Sequence, residues 1–331
     1  MFFRLKSEIM WFLKEEEIEV YHGNEKLMSV IQTDDNIKVF EFLRFLSKAP
    51  NMVEIESYKE LEEGEKRDIL SFLEGKNYGQ WVTKQEINRL ESFVNSFPAG
   101  NFQNFNETIS DRKVCIIGLG TAGSYLIDTL RKIGFSYFYL IDGDAVEASN
   151  LLAQNYQESE LGQSKSIVLS DKYMGDTIQI ETINQYVSSF EELSPYLESF
   201  TPNDFIINAA DDYALMENLA LNYYQGKLRI PIIECGYGVL KETVYLINNR
   251  HIAKMFIKRI KELKNVQTRP IVSNSGSILN AYSSALFVAK LILDQLLGIP
   301  TEYFHFNLFS HELSSGRIGD LLGDVVDEKL I

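Results

Sequence analysis

Hydrophobic and polar positions alternate along the first thirty residues and then change period. Residues 3–12, 17–21 and 27–32 read as extended segments, and the turn at His22-Gly23-Asn24 predicts a hairpin. Asp34-Asp35-Asn36 supplies N-cap oxygens, after which Ile37, Val39, Phe40, Phe42, Leu43 and Leu46 build a broad helical face ending near Ala49-Pro50. A second helical pattern covers about residues 57–72, with Leu61, Ile69, Leu70 and Phe72 apolar and the acidic run 60–65 on its solvated side. The first 80 residues therefore predict a small α+β unit of three strands and two helices, winged-helix-like in arrangement. Pro98-Ala99-Gly100 and an Asn/Phe-rich stretch mark residues 81–111 as a linker, leaving 112–331 as the main domain.

That main domain opens on the most informative pattern in the chain. The apolar run Val114-Cys115-Ile116-Ile117 ends in Gly118-Leu119-Gly120-Thr121-Ala122-Gly123, and Leu126, Ile127, Leu130 and Ile133 follow at helical spacing. Strand, tight turn and helix in this order make a phosphate cradle, because the turn glycines admit close backbone approach and the helix start offers free N–H groups to an anion. The next apolar run, 137–141, ends at Asp142, where a carboxylate can accept from ribose hydroxyls. Further strands are expected at 179–187, 204–209, 231–236 and 243–248, with a helix at 213–225 between the second and third. Alternation of strand and helix predicts a mostly parallel, doubly covered α/β sheet continued by antiparallel strands.

Residues 250–269 form a basic interlude with His251, Lys254, Lys258, Arg259, Lys261 and Lys264, read first as a solvated helix face and alternatively as a lid over phosphates. Asn274-Ser275-Gly276-Ser277 caps a long helix to about Leu297, and 303–309 resembles a last strand. Residues 314–331 carry no pattern that assigns them.

Composition narrows the function classes. A formal charge of -15 over 331 residues disfavours nucleic-acid binding, which requires concentrated Lys and Arg. Charges interrupt both the N-terminal segment and the apolar run 283–297, so neither export nor a membrane span is indicated and a cytoplasmic location is expected. Cys115 and Cys235 each sit in an apolar run and read as buried reduced thiols; two cysteines cannot make a four-thiolate zinc site. The histidines His22, His251, His305 and His311 lie near no Gly-x-Ser-x-Gly elbow, which leaves a Ser-His-Asp hydrolase without support.

Asp142, Asp211 and Lys165 fall just past predicted strand ends or at a helix start, the edge where open α/β sheets bind ligands. Singly, each is most simply a cap, a turn residue or a surface charge. A hydride-transfer reading uses only the glycine turn and Asp142, and provides no acid/base pair. A nucleoside triphosphate reading uses all of them, with Asp142 on ribose, Lys165 on phosphate and Asp211 on Mg²⁺.

The chain resembles the ThiF/MoeB/MccB superfamily, the bacterial relatives of ubiquitin-activating enzymes, over roughly residues 112–297. The resemblance rests on the glycine turn, Asp142-Gly143-Asp144, Ser149-Asn150-Leu151, Leu161-Gly162-Gln163-Ser164-Lys165 and Asn208-Ala209-Ala210-Asp211-Asp212. It implies a Rossmann-like ATP-binding domain that activates a peptide carboxylate as its adenylate and releases pyrophosphate. It also implies Gly118, Gly120, Gly123, Asp142, Asp144, Asn150, Lys165 and Asp211 as nucleotide-binding residues. Lys165 and Asp211 are its catalytic candidates, and Asp211 its Mg²⁺ ligand. Where family members carry arginine this chain has Ala153, followed by Gln154; paired Cys-x-x-Cys motifs and a thioester cysteine are missing, so no structural zinc is expected. The resemblance further implies a homodimer, with an arginine such as Arg89 entering the partner's site.

The first 80 residues resemble, less specifically, the leader-binding winged-helix module of enzymes that modify ribosomally made peptides, among them the microcin C maturation member of this superfamily. In such modules a leader-bearing precursor adds a strand to the sheet, here beside residues 27–32 with the helix around 69–72 completing the groove. The plainer alternative is a packing or dimerisation domain. Two functional readings remain at this point: an ATP-dependent peptide-activating enzyme of a peptide natural-product pathway, and a catalytically inactive leader-recognition scaffold partnering a cyclodehydratase or similar modifying enzyme.

Overall fold

The computed structural model describes residues 1–15, 17–23, 26–83, 89–97, 100–175, 177–265 and 276–317. Asn24 of the expected turn, Pro98 and Ala99, residues 266–269, Asn274, Ser275 and residues 318–331 lie outside them. The chain divides into two compact units, Met1–Phe105 and Asn106–Ile331.

In the first unit, β1 (Phe2–Leu5), β2 (Ile9–Leu13), β3 (Ile18–His22) and β4 (Lys26–Ile31) precede α1 (Asn36–Leu46), α2 (Met52–Ser57), α3 (Glu63–Gly75) and β5 (Gly79–Val82). The extended run expected over 3–12 is two strands in two sheets: β1 pairs antiparallel with β5, while β2, β3 and β4 form an antiparallel meander. The polar triplet Lys6-Ser7-Glu8 makes the break, with the Ile9 N–H donating back to the Lys6 carbonyl at 3.1 Å. The single helix expected over 57–72 is also split. Lys66, 5% exposed, donates its Nζ to the carbonyls of Ile55, Glu56 and Tyr58, which closes α2. The Glu65 carboxylate then accepts from the Glu62 N–H at 2.8 Å, opening α3 with acids at the positive end of its dipole. Phe3, Ile18, Val20, Phe42, Leu46 and Leu73 form the core of this unit. The stretch expected as a linker contains the end of β5, α4 (Arg89–Asn95) and α5 (Phe102–Ile109). The side chain of Arg89 lies outside the described residues.

The second unit is built on an eight-stranded sheet among the described residues. Its elements run β6 (Lys113–Ile117), α6 (Gly123–Ile133), β7 (Tyr137–Ile141), α7 (Lys165–Tyr173), β8 (Gln179–Ile183), α8 (Phe190–Leu193), β9 (Phe205–Asn208), α9 (Tyr213–Tyr224), β10 (Ile232–Tyr237), β11 (Lys241–Ile247), α10 (Arg250–Asn265), α11 (Ile278–Leu296), β12 (Tyr303–Asn307) and β13 (Leu313–Gly316). The spatial order is β13-β12-β11-β10-β9-β6-β7-β8, parallel from β10 to β8 and antiparallel from β10 outward to β13. Successive strands leave β6 on one side through β7 and β8 and on the other through β9 and β10. The carboxyl ends of β6 and β9 therefore flank a topological switch point, where such sheets bind ligands.

Burial on both faces explains the continuous apolar runs: all four residues of β9 and four of the five of β6 are buried. The basic stretch is a helix, α10, whose Ile252, Met255, Phe256 and Ile260 are buried while Lys258 and Lys261 face solvent. Lys264 of α10 pairs with Glu217 of α9 at 2.6 Å. Residues 314–316, unassigned from sequence, complete β13. No described helix is long and apolar enough to cross a membrane.

Candidate functional site

The glycine turn is held by contacts that exclude side chains. Gly118 has φ +83°, and a Cβ there would lie 2.7 Å from the Ala210 backbone nitrogen. A Cβ on Gly123 would lie 1.9 Å from the Gly118 carbonyl oxygen, so this glycine lets α6 close on the turn. At Gly120 the nearest atom to a Cβ is Gln154 Nε2 at 3.9 Å, so only something outside the chain would contest that space.

Asp142 anchors the next segment. Its Oδ2 accepts from the Leu119 N–H at 2.6 Å and its Oδ1 from the Asp144 N–H at 2.7 Å, tying the glycine turn to the end of β7. Burial pushes the Asp142 carboxyl above its ordinary value, outweighing those two bonds and the Lys165 charge. A carboxylate has about four acceptor sites, so two remain for a ligand. Lys165 opens α7 and is 5% exposed; its Nζ lies 3.0 Å from Asp144 Oδ2. Asp144 Oδ1 accepts from the Tyr186 hydroxyl. Burial would raise the Asp144 pKa, but the bonds from Tyr186 and Lys165 prevail and hold it below its ordinary value.

At the end of β9 two adjacent acids divide the work. Asp212 caps α9 by accepting from the Ala214 N–H at 2.7 Å, while Asp211 is exposed and has no hydrogen-bond or ion-pair partner among the described residues. Asn150 uses its Oδ1 to accept from the Glu147 N–H at 2.9 Å, closing a 3₁₀ turn at Ala148–Asn150.

These groups line one cleft of about 430 Å³ at the carboxyl edge of the parallel strands. Of the candidate residues, Gly118, Gly120, Asp142, Asp144, Asn150, Lys165 and Asp211 line it, whereas Gly123 sits behind the turn. Among the described residues lining it, Lys165 is the one cation against Asp142, Asp144 and Asp211. A polyphosphate entering this acidic cleft would need a divalent cation to offset the repulsion. Among the described residues no cluster of three His, Cys, Asp or Glu forms a metal site by itself.

A family model described as the ThiF family matches residues 97–320, more than half of the chain. The chain belongs to the ThiF family. Among curated relatives, the ubiquitin-like modifier-activating enzyme 5 of Drosophila persimilis is 25% identical over 142 residues, covering 40% of this ThiF chain and 37% of that protein. The Aedes aegypti counterpart is 24% identical over 140 residues, covering 39% and 35%. The match thus spans little more than a third of the length of these relatives. Among solved structures, E. coli MccB with AMPCPP and MccA superposes with TM-score 0.65 at 17% identity, over 96% of this chain and 98% of that one. PaaA superposes with TM-score 0.67 at 18% identity, over 95% and 99%. The likeness to these two folds covers nearly the whole chain, beyond the residues that the ThiF model matches.

Three further residues line this ThiF site outside the candidate set. Tyr186 lies across Gly143, where a Cβ would meet its ring at 2.8 Å, and its exposed face offers a flat surface beside Asp142. Gln154 lines the cleft with a buried Oε1 that has no hydrogen-bond partner among the described residues. Tyr237 closes the far end, its ring 2.5 Å from where a Gly276 Cβ would sit. The available signal for Tyr186 was an aromatic just beyond a strand end on the ligand edge. Ala153, at the position where the family's arginine was expected, is buried and does not line the cleft.

Proposed function

We propose that this chain is an ATP-dependent adenylyltransferase acting on the carboxylate of a leader-bearing peptide in the maturation of a ribosomally made natural product. The reading rests on one observation: a ThiF-family chain gathers Asp142, Lys165 and an uncommitted Asp211 in a single cleft at the switch point of its sheet. Asp142 accepts from the ribose hydroxyls with the lone pairs its two backbone bonds leave free. Lys165, held in place by Asp144, neutralises phosphate as a point charge. Asp211 holds Mg²⁺, which when bound supplies charge neutralisation along the phosphates. The peptide carboxylate attacks the α-phosphorus, the acyl–oxygen–phosphorus bond forms, and the bond to pyrophosphate breaks with its electron pair leaving on pyrophosphate. The chain contributes positioning and fixed charge rather than a covalent intermediate.

The N-terminal unit fits the recognition half of this reading. β4 ends its sheet, with no strand among the described residues on its outer edge, and exposes Leu27, Met28 and Val30. A leader peptide would add there as a strand, drawing affinity from backbone bonds and selection from alternate side chains. A separate hollow beside α3 is lined by Ile55, Leu70 and Trp81 and takes in no residue of β4. Support also comes from fold likeness to E. coli MccB, solved with its peptide MccA and, separately, with ATP. A homodimer in the cytoplasm, free to meet a modifying-enzyme partner, completes the reading.

The test is ATP–pyrophosphate exchange driven by leader-bearing peptides. Wild type is expected to exchange only with peptide and Mg²⁺, and Asp211→Ala to lose at least about 100-fold. ATP binding undetectable by calorimetry, with leader binding retained, would instead establish the non-catalytic scaffold.

A further inference from the structure

Past Asp211 the cleft runs on into a smaller pocket of about 210 Å³. The two share Asp211, Cys235, Gly236 and Tyr237. Its walls are apolar and aromatic, from Tyr213 and Met216 on α9 and Phe256, Ile260 and Leu263 on α10. One buried acid lines it. Glu234, 2% exposed, stands in β10 opposite Asn208 of β9 and Tyr245 of β11.

Asn208 Nδ2 donates to Glu234 Oε2 at 2.8 Å, but Oε1 is buried with no hydrogen-bond partner among the described residues. Burial pushes the Glu234 carboxyl up to about 8, outweighing the Asn208 bond, so at neutral pH it is mostly the uncharged acid. A neutral carboxyl with one idle oxygen, set beside Met216, Phe256, Ile260 and Leu263 in a pocket that also carries Asp211, Thr243 and Arg259, is complementary to a small polar group that carries no charge.

We propose that this pocket receives the side chain of the residue whose carboxylate is activated, and that Glu234 selects an uncharged polar side chain, a carboxamide or an alcohol, through Oε1. The inference rests on the adenylation reading and on the continuity of this pocket with the nucleotide cleft through Asp211, Cys235, Gly236 and Tyr237. An aliphatic side chain of the same length would fill the space and leave Oε1 unpaired. An acidic one would have to bury a charge beside a second carboxyl, with Arg259 at the pocket as its sole described counter-charge.

The pocket can be watched without turnover through the ¹³C-methyl NMR signals of Met216 and Ile260 in the full chain. The probes are N-acetyl-asparagine, N-acetyl-glutamine and N-acetyl-serine against N-acetyl-leucine, N-acetyl-aspartate and N-acetyl-lysine. The uncharged polar probes are expected to shift both methyls saturably, at least about 10-fold more tightly than N-acetyl-leucine. Glu234→Leu should reverse that order. Leu263→Trp, which fills the pocket from its half-buried rim and leaves Glu234 intact, should abolish every shift. Equal or tighter binding of leucine, aspartate or lysine, or no saturable shift from any probe, overturns the proposal. Calorimetry with Mg-ATP on the same protein keeps the two readings apart. ATP binding without methyl shifts sinks the pocket alone, whereas methyl shifts without ATP binding sink the adenylation reading and with it the role given to the pocket.

Discussion

The two strand ends that frame the cleft treat their aspartates in opposite ways. At the end of β7, Asp142 is buried and bonded to two backbone N–H groups on two different loops, whereas at the end of β9, Asp211 is exposed and uncommitted, its neighbour Asp212 having taken the helix cap. An acid can thus face a ligand site either as part of the frame or as a free hand. The same sequence pattern, apolar run then aspartate, produces both.

Substitution separates them most sharply in stability. Asp142→Ala strands the Leu119 and Asp144 N–H groups and should lower the unfolding free energy by about 2–4 kcal/mol, while Asp211→Ala should stay within about 0.5 kcal/mol. Urea midpoints of the two variants measure this directly, and equal losses would erase the distinction.

β10, the next strand beyond β9, sharpens the comparison with a third carboxyl that is buried yet only half satisfied. Glu234 has its folded pKa raised from 4.5 to about 8, so its contribution to stability is fully present below about pH 4.5 and is lost as pH rises through 8. Glu242, buried and bonded by Ser284 and Asn280, is pushed up to about 7 and adds a decline of the same sign. Glu234→Gln should therefore recover up to about 5 kcal/mol at pH 9 relative to wild type while changing little at pH 4.5, and denaturation at the two pH values tests it. A variant whose pH slope matches wild type would show that Glu234 titrates normally.

The smallest effect concerns Asp144. Tyr186→Phe removes one of the two bonds that hold its pKa low, so stability gained above pH 3.8 and lost as pH falls should shrink by no more than about 0.5 kcal/mol. Any larger loss in acid would mean that Tyr186 is structural rather than part of the cleft's surface.

Legibility from sequence follows contact range. The β6–turn–α6–β7 unit was readable because its pattern is local: three glycines at short fixed spacing join an apolar run to a helical one, although Gly118 also answers to the distant Ala210 backbone. The parallel sheet followed from alternation alone. The pairing of β1 with β5 joins residues almost eighty positions apart and left no periodic trace, so Trp81 read as linker. The break between α2 and α3 is made by Lys66 reaching back to carbonyls, a contact that an acidic and apolar pattern does not announce. Within the site, the gathering of Asp142, Lys165 and Asp211 was anticipated, but the commitment of Asp142 to two loops and the idle oxygen of Glu234 were not. Both arise from side-chain bonds across strands. The one visible hint was a lone acid inside Ile232-Ile233-Glu234-Cys235.

The double engagement of Asp142 means that the glycine turn and the Gly143 loop behave as a single jaw rather than two fingers. A visitor to the cleft finds that jaw already set, so its capture spends little ordering entropy there, and its arrival rate is governed by diffusion and charge instead of by waiting for loops to assemble.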